Sequence, residues 1–321
     1  MRYGVLSTKL RTHAALACVA FGFLACTEYT SVTPSDGGAD SQSPREDAGP
    51  SGSDSGLPGD ASLTGSCDPN TAFGGATPLT TLVPPSPGPF AGYSLTGDEL
   101  RVYYAQNGGI FTASRASMAA DFTGFTAVPL PGAFGPARQP VVSRDGKTLM
   151  FTAIQGATEN VVNATLPTPT AMGKVLGIAH DYVGALRSPA PIPSAPVLTF
   201  FAIGGTTDSM AVGTLMTVSD GQVSSLMSPE VFASAPVLSA DGRRLYVAQT
   251  ISVDGLKTKV VSTMSRKGDD ISAWSLPTPM PALGTPGVAY PAWASTDDCR
   301  LYLTSGNTEG GTPHIVQRKP L

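Results

Sequence analysis

The chain has 321 residues, of which 41% are hydrophobic and only 14% charged, with 36 Gly and 29 Pro. Its formal net charge is −4, which excludes the basic footprint that nucleic-acid binding demands, and no polybasic membrane patch occurs. A Gly- and Pro-rich chain of this kind fits many turns and short strands.

Residues 1–25 read as a secretory signal. Arg2, Lys9 and Arg11 form a basic end, and Ala14–Ala25 is an apolar run. That run is shorter than the roughly 20 residues a spanning helix needs. It ends Phe23-Leu24-Ala25-Cys26. Small residues before a cysteine resemble the bacterial lipoprotein cleavage site, which implies that Cys26 becomes the lipidated first residue. The plain alternative is an ordinary signal peptide with an incidental cysteine. By resemblance to bacterial sorting rules, Thr27 implies the outer membrane, facing the periplasm or the cell surface.

Residues 26–66 are rich in Ser, Gly, Pro and Asp, with seven acids and one base. Such a segment cannot bury enough apolar surface to fold. As a flexible tether it would reach on the order of 35 Å. Residues 67–321 hold 16 basic and 17 acidic residues, a near-neutral composition that suits the folded part.

Within 67–321 a short pattern recurs. Ala235–Gln249 (APVLSADGRRLYVAQ) reads as a strand, an Asp241-Gly242 turn and a second strand. Asp-Gly suits a two-residue hairpin turn with both central residues at positive φ. Copies lie at Gly92–Gln106, Pro140–Ala153 and Pro291–Ser305, with a degenerate one at Pro191–Gly204. With Leu100, Leu149, Leu198, Leu245 and Leu301 as anchors, the spacings are 49, 49, 47 and 56 residues. A period in this range fits one four-stranded propeller blade. Third and fourth strands follow each copy, among them Lys257–Met264 and Ile271–Leu276. The fifth unit lacks an outer strand, which Thr77–Leu82 from the N-terminal side can supply, leaving no open edge. The expectation is an all-β propeller of five blades, Cys67 to Leu321. Six blades, with one unit hidden in the 56-residue spacing, is the alternative.

The run S-x-D-G-x-x-L followed by alternating aromatic and aliphatic residues resembles the repeat of TolB-type β-propellers. The match is clearest at Ser143–Phe151 and Ser239–Val247. In Gly92–Gln106 and Pro291–Ser305, Gly97-Asp98 and Asp297-Asp298 take the place of Asp-Gly. The resemblance implies a fold and no particular activity, because a blade motif encodes turns and packing.

With Cys18 in the signal and Cys26 at the lipidation position, Cys67 and Cys299 remain. In an oxidising compartment they are expected to form a disulfide. The bond would staple the closure, for about 2–4 kcal/mol.

Motifs for chemistry are sparse. After the signal only His180 and His314 remain as histidines, with no Cys-x-x-Cys pair and no calcium loop, so no metal or other cofactor is expected. There is no Gly-x-Ser-x-Gly elbow and no phosphate loop. Several five-bladed propellers are glycosidases with acids in the central channel. Here Asp98, Glu99, Asp145, Asp241, Asp297 and Asp298 sit in hairpin turns, where turn chemistry explains them. Glu159, Asp181, Asp208 and Glu230 fall in loops of the opposite face.

The connections between units each carry an aromatic residue: Phe90, Phe134, Tyr182, Phe232 and Tyr290. Arg138, His180, Asp181 and Arg187 accompany them. Such a ring could hold a sugar or an extended peptide; equally, each aromatic could plug the groove between neighbouring blades. The function expected from these residues is a non-catalytic, monomeric protein- or glycan-binding module of the cell envelope, held to the membrane by its N-terminal lipid. A carbohydrate-active enzyme using acids of the loop face is the alternative.

Overall fold

The computed structural model describes residues 67–86, 88, 90–130, 135–155, 158–166, 172–176, 187–191, 200–204, 214–219, 222–225, 233–253, 256–266, 268, 273–280, 283, 288–305 and 311–321. The signal, Cys26 and the tether lie outside these residues, as do Phe134, His180, Asp181, Tyr182 and Phe232.

The described strands pair, all antiparallel, into five four-stranded sheets. The first contains β2 (Phe90–Leu95), β3 (Arg101–Gln106), β4 (Gly109–Ser114) and β5 (Thr123–Ala127). The second contains β6 (Ala137–Val142), β7 (Thr148–Gln155), β8 (Thr158–Thr165) and β9 (Met172–Leu176). The third contains β10 (Arg187–Pro191), β11 (Phe200–Gly204), β12 (Thr214–Ser219) and β13 (Gln222–Ser225). The fourth contains β14 (Ala233–Leu238), β15 (Arg244–Val253), β16 (Leu256–Ser265) and β17 (Thr278–Pro279). The last joins β18 (Val288–Ala294), β19 (Arg300–Ser305) and β20 (Pro313–Gln317) to β1 (Thr77–Pro78), which comes from the opposite end of the described chain. The first strands of successive sheets lie side by side, and β18 also lies beside β2. This is an all-β propeller arrangement.

The core is distributed between the sheets rather than within any one of them. One apolar cluster joins Tyr103 and Ile110 of the first sheet to Val142, Leu149 and Phe151 of the second. Another joins Trp293 and Tyr302 of the last sheet to Tyr93, Leu95 and Val102 of the first. A third joins Tyr246 and Val261 of the fourth sheet to Leu301, Leu303 and Val316 of the last. A second strand such as β19 is therefore apolar on both faces, as a sheet packed between two others requires. Leu149, Leu245 and Leu301 are fully buried, each contributing about 1.5–3 kcal/mol by transfer from water. In the first sheet Val102, not Leu100, takes this anchor place: it pairs with Leu95 as Leu149 pairs with Val142.

Three other expectations are corrected. The 56-residue spacing hides no sixth sheet among the described residues: β15 and β16 form a hairpin of ten residues per strand, against six each in β3 and β4. The outer strand expected at Ile271–Leu276 lies later. Trp274 bridges Arg266, but the ladder breaks and resumes at Thr278–Pro279, because Pro277 has no amide hydrogen to continue it. The hairpin turn also differs from the two-residue Asp-Gly type. Asp241 is not at positive φ; only Gly242 is, at +67°. The turn spans Ser239–Gly242, closed by the Gly242 amide donating to the Ser239 carbonyl at 3.0 Å.

Candidate functional site

The turn recurs with one geometry in four sheets, at Thr96–Glu99, Ser143–Gly146, Ser239–Gly242 and Ser295–Asp298. In each, the opening Ser or Thr hydroxyl donates to the aspartate Oδ1 at 2.5–2.6 Å. The same Oδ1 accepts the amide two residues on, at 2.9–3.1 Å. The hydroxyl oxygen then accepts the amide that opens the next strand, at 2.8–3.2 Å. These bonds anchor the aspartate, so only the fourth residue of the turn takes the left-handed conformation. It is Gly146 or Gly242 in two turns, but Glu99 (φ 61°) and Asp298 (φ 57°) in the others. Asp98-Glu99, not Gly97-Asp98, thus replaces Asp-Gly in the first sheet.

The two acids in glycine's place each reach into the sheet before them. Glu99 faces Arg300 and Tyr302 of β19: Arg300 Nη2 donates to Oε1 at 2.7 Å, Arg300 Nε at 3.0 Å, and the Tyr302 hydroxyl to Oε2. Asp298 faces Arg244 and Tyr246 of β15: Arg244 Nη1 donates to Oδ2 at 2.5 Å and the Tyr246 hydroxyl to Oδ1 at 2.7 Å. A second arginine backs each acid. Arg115 Nε donates to the Glu99 carbonyl and Arg318 Nε to the Asp298 carbonyl, both at 2.9 Å. Their guanidinium carbons lie over Phe122 at 4.6 Å and over Phe73 at 3.9 Å. Burial, reinforced by the neighbouring carboxylate, pushes the Tyr302 and Tyr246 phenols well above their ordinary value. The sequence signal for this arrangement is Arg-x-Tyr at 300–302 and 244–246, answered by an acid at the left-handed position of the following sheet's turn.

Across the turn face, Arg144 links three sheets. Its carbonyl accepts the Gly97 amide at 2.8 Å, and its Nη1 donates to Thr296 Oγ1 at 3.2 Å. Its guanidinium lies over the Trp293 ring at 5.2 Å. Desolvation lowers the Arg144 guanidinium below its ordinary value, opposed by Asp298, Glu99, Asp241 and Asp297; an arginine so placed still keeps its charge at neutral pH. Gly97 is required here, since a Cβ would lie 2.9 Å from the Arg144 carbonyl oxygen.

Cys67 and Cys299 form the expected disulfide, with Cα atoms 5.7 Å apart. Both are buried. The bond ties the segment before β1 to the hairpin turn of the last sheet.

Of the aromatics expected in the connections, Phe90 and Tyr290 lie among the described side chains, and both sit within first strands, β2 and β18, rather than in loops. Phe90 is buried against Tyr93 and Tyr104, with ring centroids at 6.2 and 5.2 Å. Tyr290 is buried beside Ala235 and Ala248, and Lys259 Nζ lies 4.7 Å above its ring. Both pack between elements. Arg138 and Arg187 sit in β6 and β10, neighbouring first strands; the Arg138 carbonyl accepts the Thr152 hydroxyl at 3.3 Å. Among the described residues, no group of three or more His, Cys, Asp and Glu could hold a metal ion.

No protein-family model matches this chain, and no curated protein matches it in sequence. Solved structures do share its shape. A glycosyl hydrolase from Bacteroides ovatus superposes with a TM-score of 0.50 at 14% identity, over 80% of this chain and 91% of that one. A protein of Agrobacterium tumefaciens named as TolB gives 0.47 at 13% identity, over 70% of this chain and 72% of that one. TolB from Acinetobacter baumannii gives 0.42 at 16% identity, over 73% of this chain and 55% of that one. At such identities the likeness is one of fold alone.

Proposed function

We propose that this chain is a lipid-anchored protein of the bacterial cell envelope whose TolB-like propeller, each four-stranded sheet counted as one of five blades, is a non-catalytic binding module. The observation that carries the reading is the Cys67–Cys299 disulfide, because such bonds persist in oxidising compartments outside the cytoplasm. The basic and apolar signal ending at Cys26 points the same way, and among the described residues no helix is long and apolar enough to cross a membrane. The anchor is then the lipid on Cys26, and residues 27–66 set the reach.

Among the described residues, the buried acids of the turn face are committed to contacts between sheets, while the loop-face acids Asp181, Asp208 and Glu230 lie outside the described residues. A glycosidase needs two carboxyl groups free to meet the scissile bond. Glu99 and Asp298 instead accept arginine and tyrosine donors on both oxygens. Recognition falls to the loop face, where Arg138 and Arg187 lie in adjacent first strands. Their chemistry suits an acidic glycan or peptide.

The test begins with metabolic labelling by a tagged fatty acid in a bacterial host. Wild-type chain carries the label and sediments with membranes; Cys26→Ser loses both. Labelling that survives in the Cys26→Ser chain rules out the anchor. Purified lipid-free chain is next mixed with isolated peptidoglycan and with acidic polysaccharide. Binding that Arg138→Ala/Arg187→Ala weakens without lowering the unfolding midpoint supports the loop-face site, and release of reducing sugar in the same samples would make the protein an enzyme.

A further inference from the structure

We propose that Glu99 and Asp298 are ionic latches that hold the last sheet between its two neighbours, independently of the Cys67–Cys299 disulfide.

Three second strands open with Arg-x-Tyr: Arg101–Tyr103, Arg244–Tyr246 and Arg300–Tyr302. The residue at the left-handed position of the following sheet's turn is Gly146, Asp298 and Glu99, respectively. An acid stands there in both cases where the last sheet is one of the two partners. Between the first and second sheets the position is glycine, although Arg101 and Tyr103 are present to receive an acid. Left-handed backbone favours glycine, so the strain of an acid at this place is offset by the contacts its side chain makes. Each of the two spans a sheet–sheet interface: Arg300 and Glu99 have side chains 13% and 3% exposed, Arg244 and Asp298 24% and 11%. Pairs so far from solvent are little screened by salt.

The last sheet is the one closed by a strand from the far end of the described chain. Its outer strand β1 pairs Thr77 with Ile315 and Pro78 with His314, a contact as short as that of β17 in the fourth sheet. Bringing distant segments together carries the larger loop-closure entropy. The disulfide addresses a different joint. It fastens the segment before β1 to the turn of the same sheet and crosses neither interface. Arg318 connects the two systems, since it donates to the Asp298 and Thr71 carbonyls and to the Tyr246 hydroxyl while stacking on Phe73. With the disulfide reduced, the latches still hold the sheet in register.

The test uses the full chain with its disulfide reduced. Alkylation of Cys299, buried at 5% exposure, is followed by peptide-resolved mass spectrometry under native conditions. Reduced wild type should react slowly. Glu99→Gln and Asp298→Asn should each raise the Cys299 rate about tenfold or more, as loss of a buried charge partner implies, whereas Gly146→Ala should leave it near the wild-type rate. Equal rates in wild type and latch variants would overturn the proposal. A second pair keeps the question open to measurement should the first variants not fold. Gly146→Asp and Gly146→Asn place side chains of the same shape at the left-handed position, but only the former brings a carboxylate charge to pair with the Arg101 guanidinium. A higher urea midpoint for Gly146→Asp than for Gly146→Asn supports the latch rule; an equal or lower one defeats it.

Discussion

The interface between the first and second sheets and that between the last and first sheets are built from the same repeat, yet they are held differently. The first–second interface is apolar side-chain packing plus backbone economy. Ser94 Oγ accepts the Val142 amide at 2.8 Å, and the Gly108 carbonyl accepts the Ala137 amide at 2.8 Å. The last–first interface has comparable packing around Trp293 and Tyr302, and to this it adds Glu99 with Arg300 and Tyr302. Tyr93 also crosses it, donating to the Leu303 carbonyl at 2.8 Å. The first two sheets thus rely on shape, whereas the last sheet, assembled from both ends of the described chain, receives directional, charged contacts at its interfaces with the first and the fourth sheets. Buried charge pairs are weak evidence for net stability but leave a large deficit when one partner is lost.

The comparison can be broken most strongly at the latch. Glu99→Ala removes the carboxylate that Arg300 and Tyr302 share across the interface, leaving Arg300 with Asp297 at 3.2 Å, and urea unfolding should show a loss of up to about 3–5 kcal/mol. Opening the disulfide with Cys67→Ser/Cys299→Ser should cost about 2–4 kcal/mol, read in the same assay as a lower midpoint. On the apolar side, Ser94→Ala strands the Val142 amide in a buried position and should cost about 1–3 kcal/mol. Smaller still, Gly242→Ala must hold φ at +67° and should lose about 1 kcal/mol.

A pH titration sharpens the contrast further. Asp241 and Asp297 sit below the ordinary carboxylate value: burial alone would raise them, but the Ser239 and Ser295 hydroxyls and the Arg243 and Cys299 amides outweigh it. Their folded values therefore lie below the unfolded value of about 3.9. Their stabilisation is complete above about pH 5 and disappears as pH falls through the folded values. The unfolding midpoint should be flat from neutral pH down to about 5 and then decline. Asp241→Asn should shallow that decline, and an unchanged slope would show that the turn aspartates do not set it.

Much of this molecule was legible from residue patterns alone. Strand identity, the four-stranded unit and the pairing of Cys67 with Cys299 follow from local alternation, turn chemistry and a count of cysteines, all of which are short-range or compositional. The 56-residue spacing was visible but ambiguous, because a longer hairpin and an extra unit lengthen a period in the same way. Turn chemistry explains the turn aspartates, and the structure uses them so. By position Glu99 and Asp298 belong to the same turns, although their partners lie 201 and 54 residues away along the chain. Nothing local announces such a pairing. The roles of Phe90 and Tyr290 in packing were likewise open until their neighbours were known, since an aromatic ring before a strand serves a ligand or a groove equally well. Most strands and the positions of the hairpin turns are set by backbone preferences within a few residues, and so can be read locally. Which acid meets which arginine depends instead on the order in which sheets meet around the fold, and no local pattern carries that.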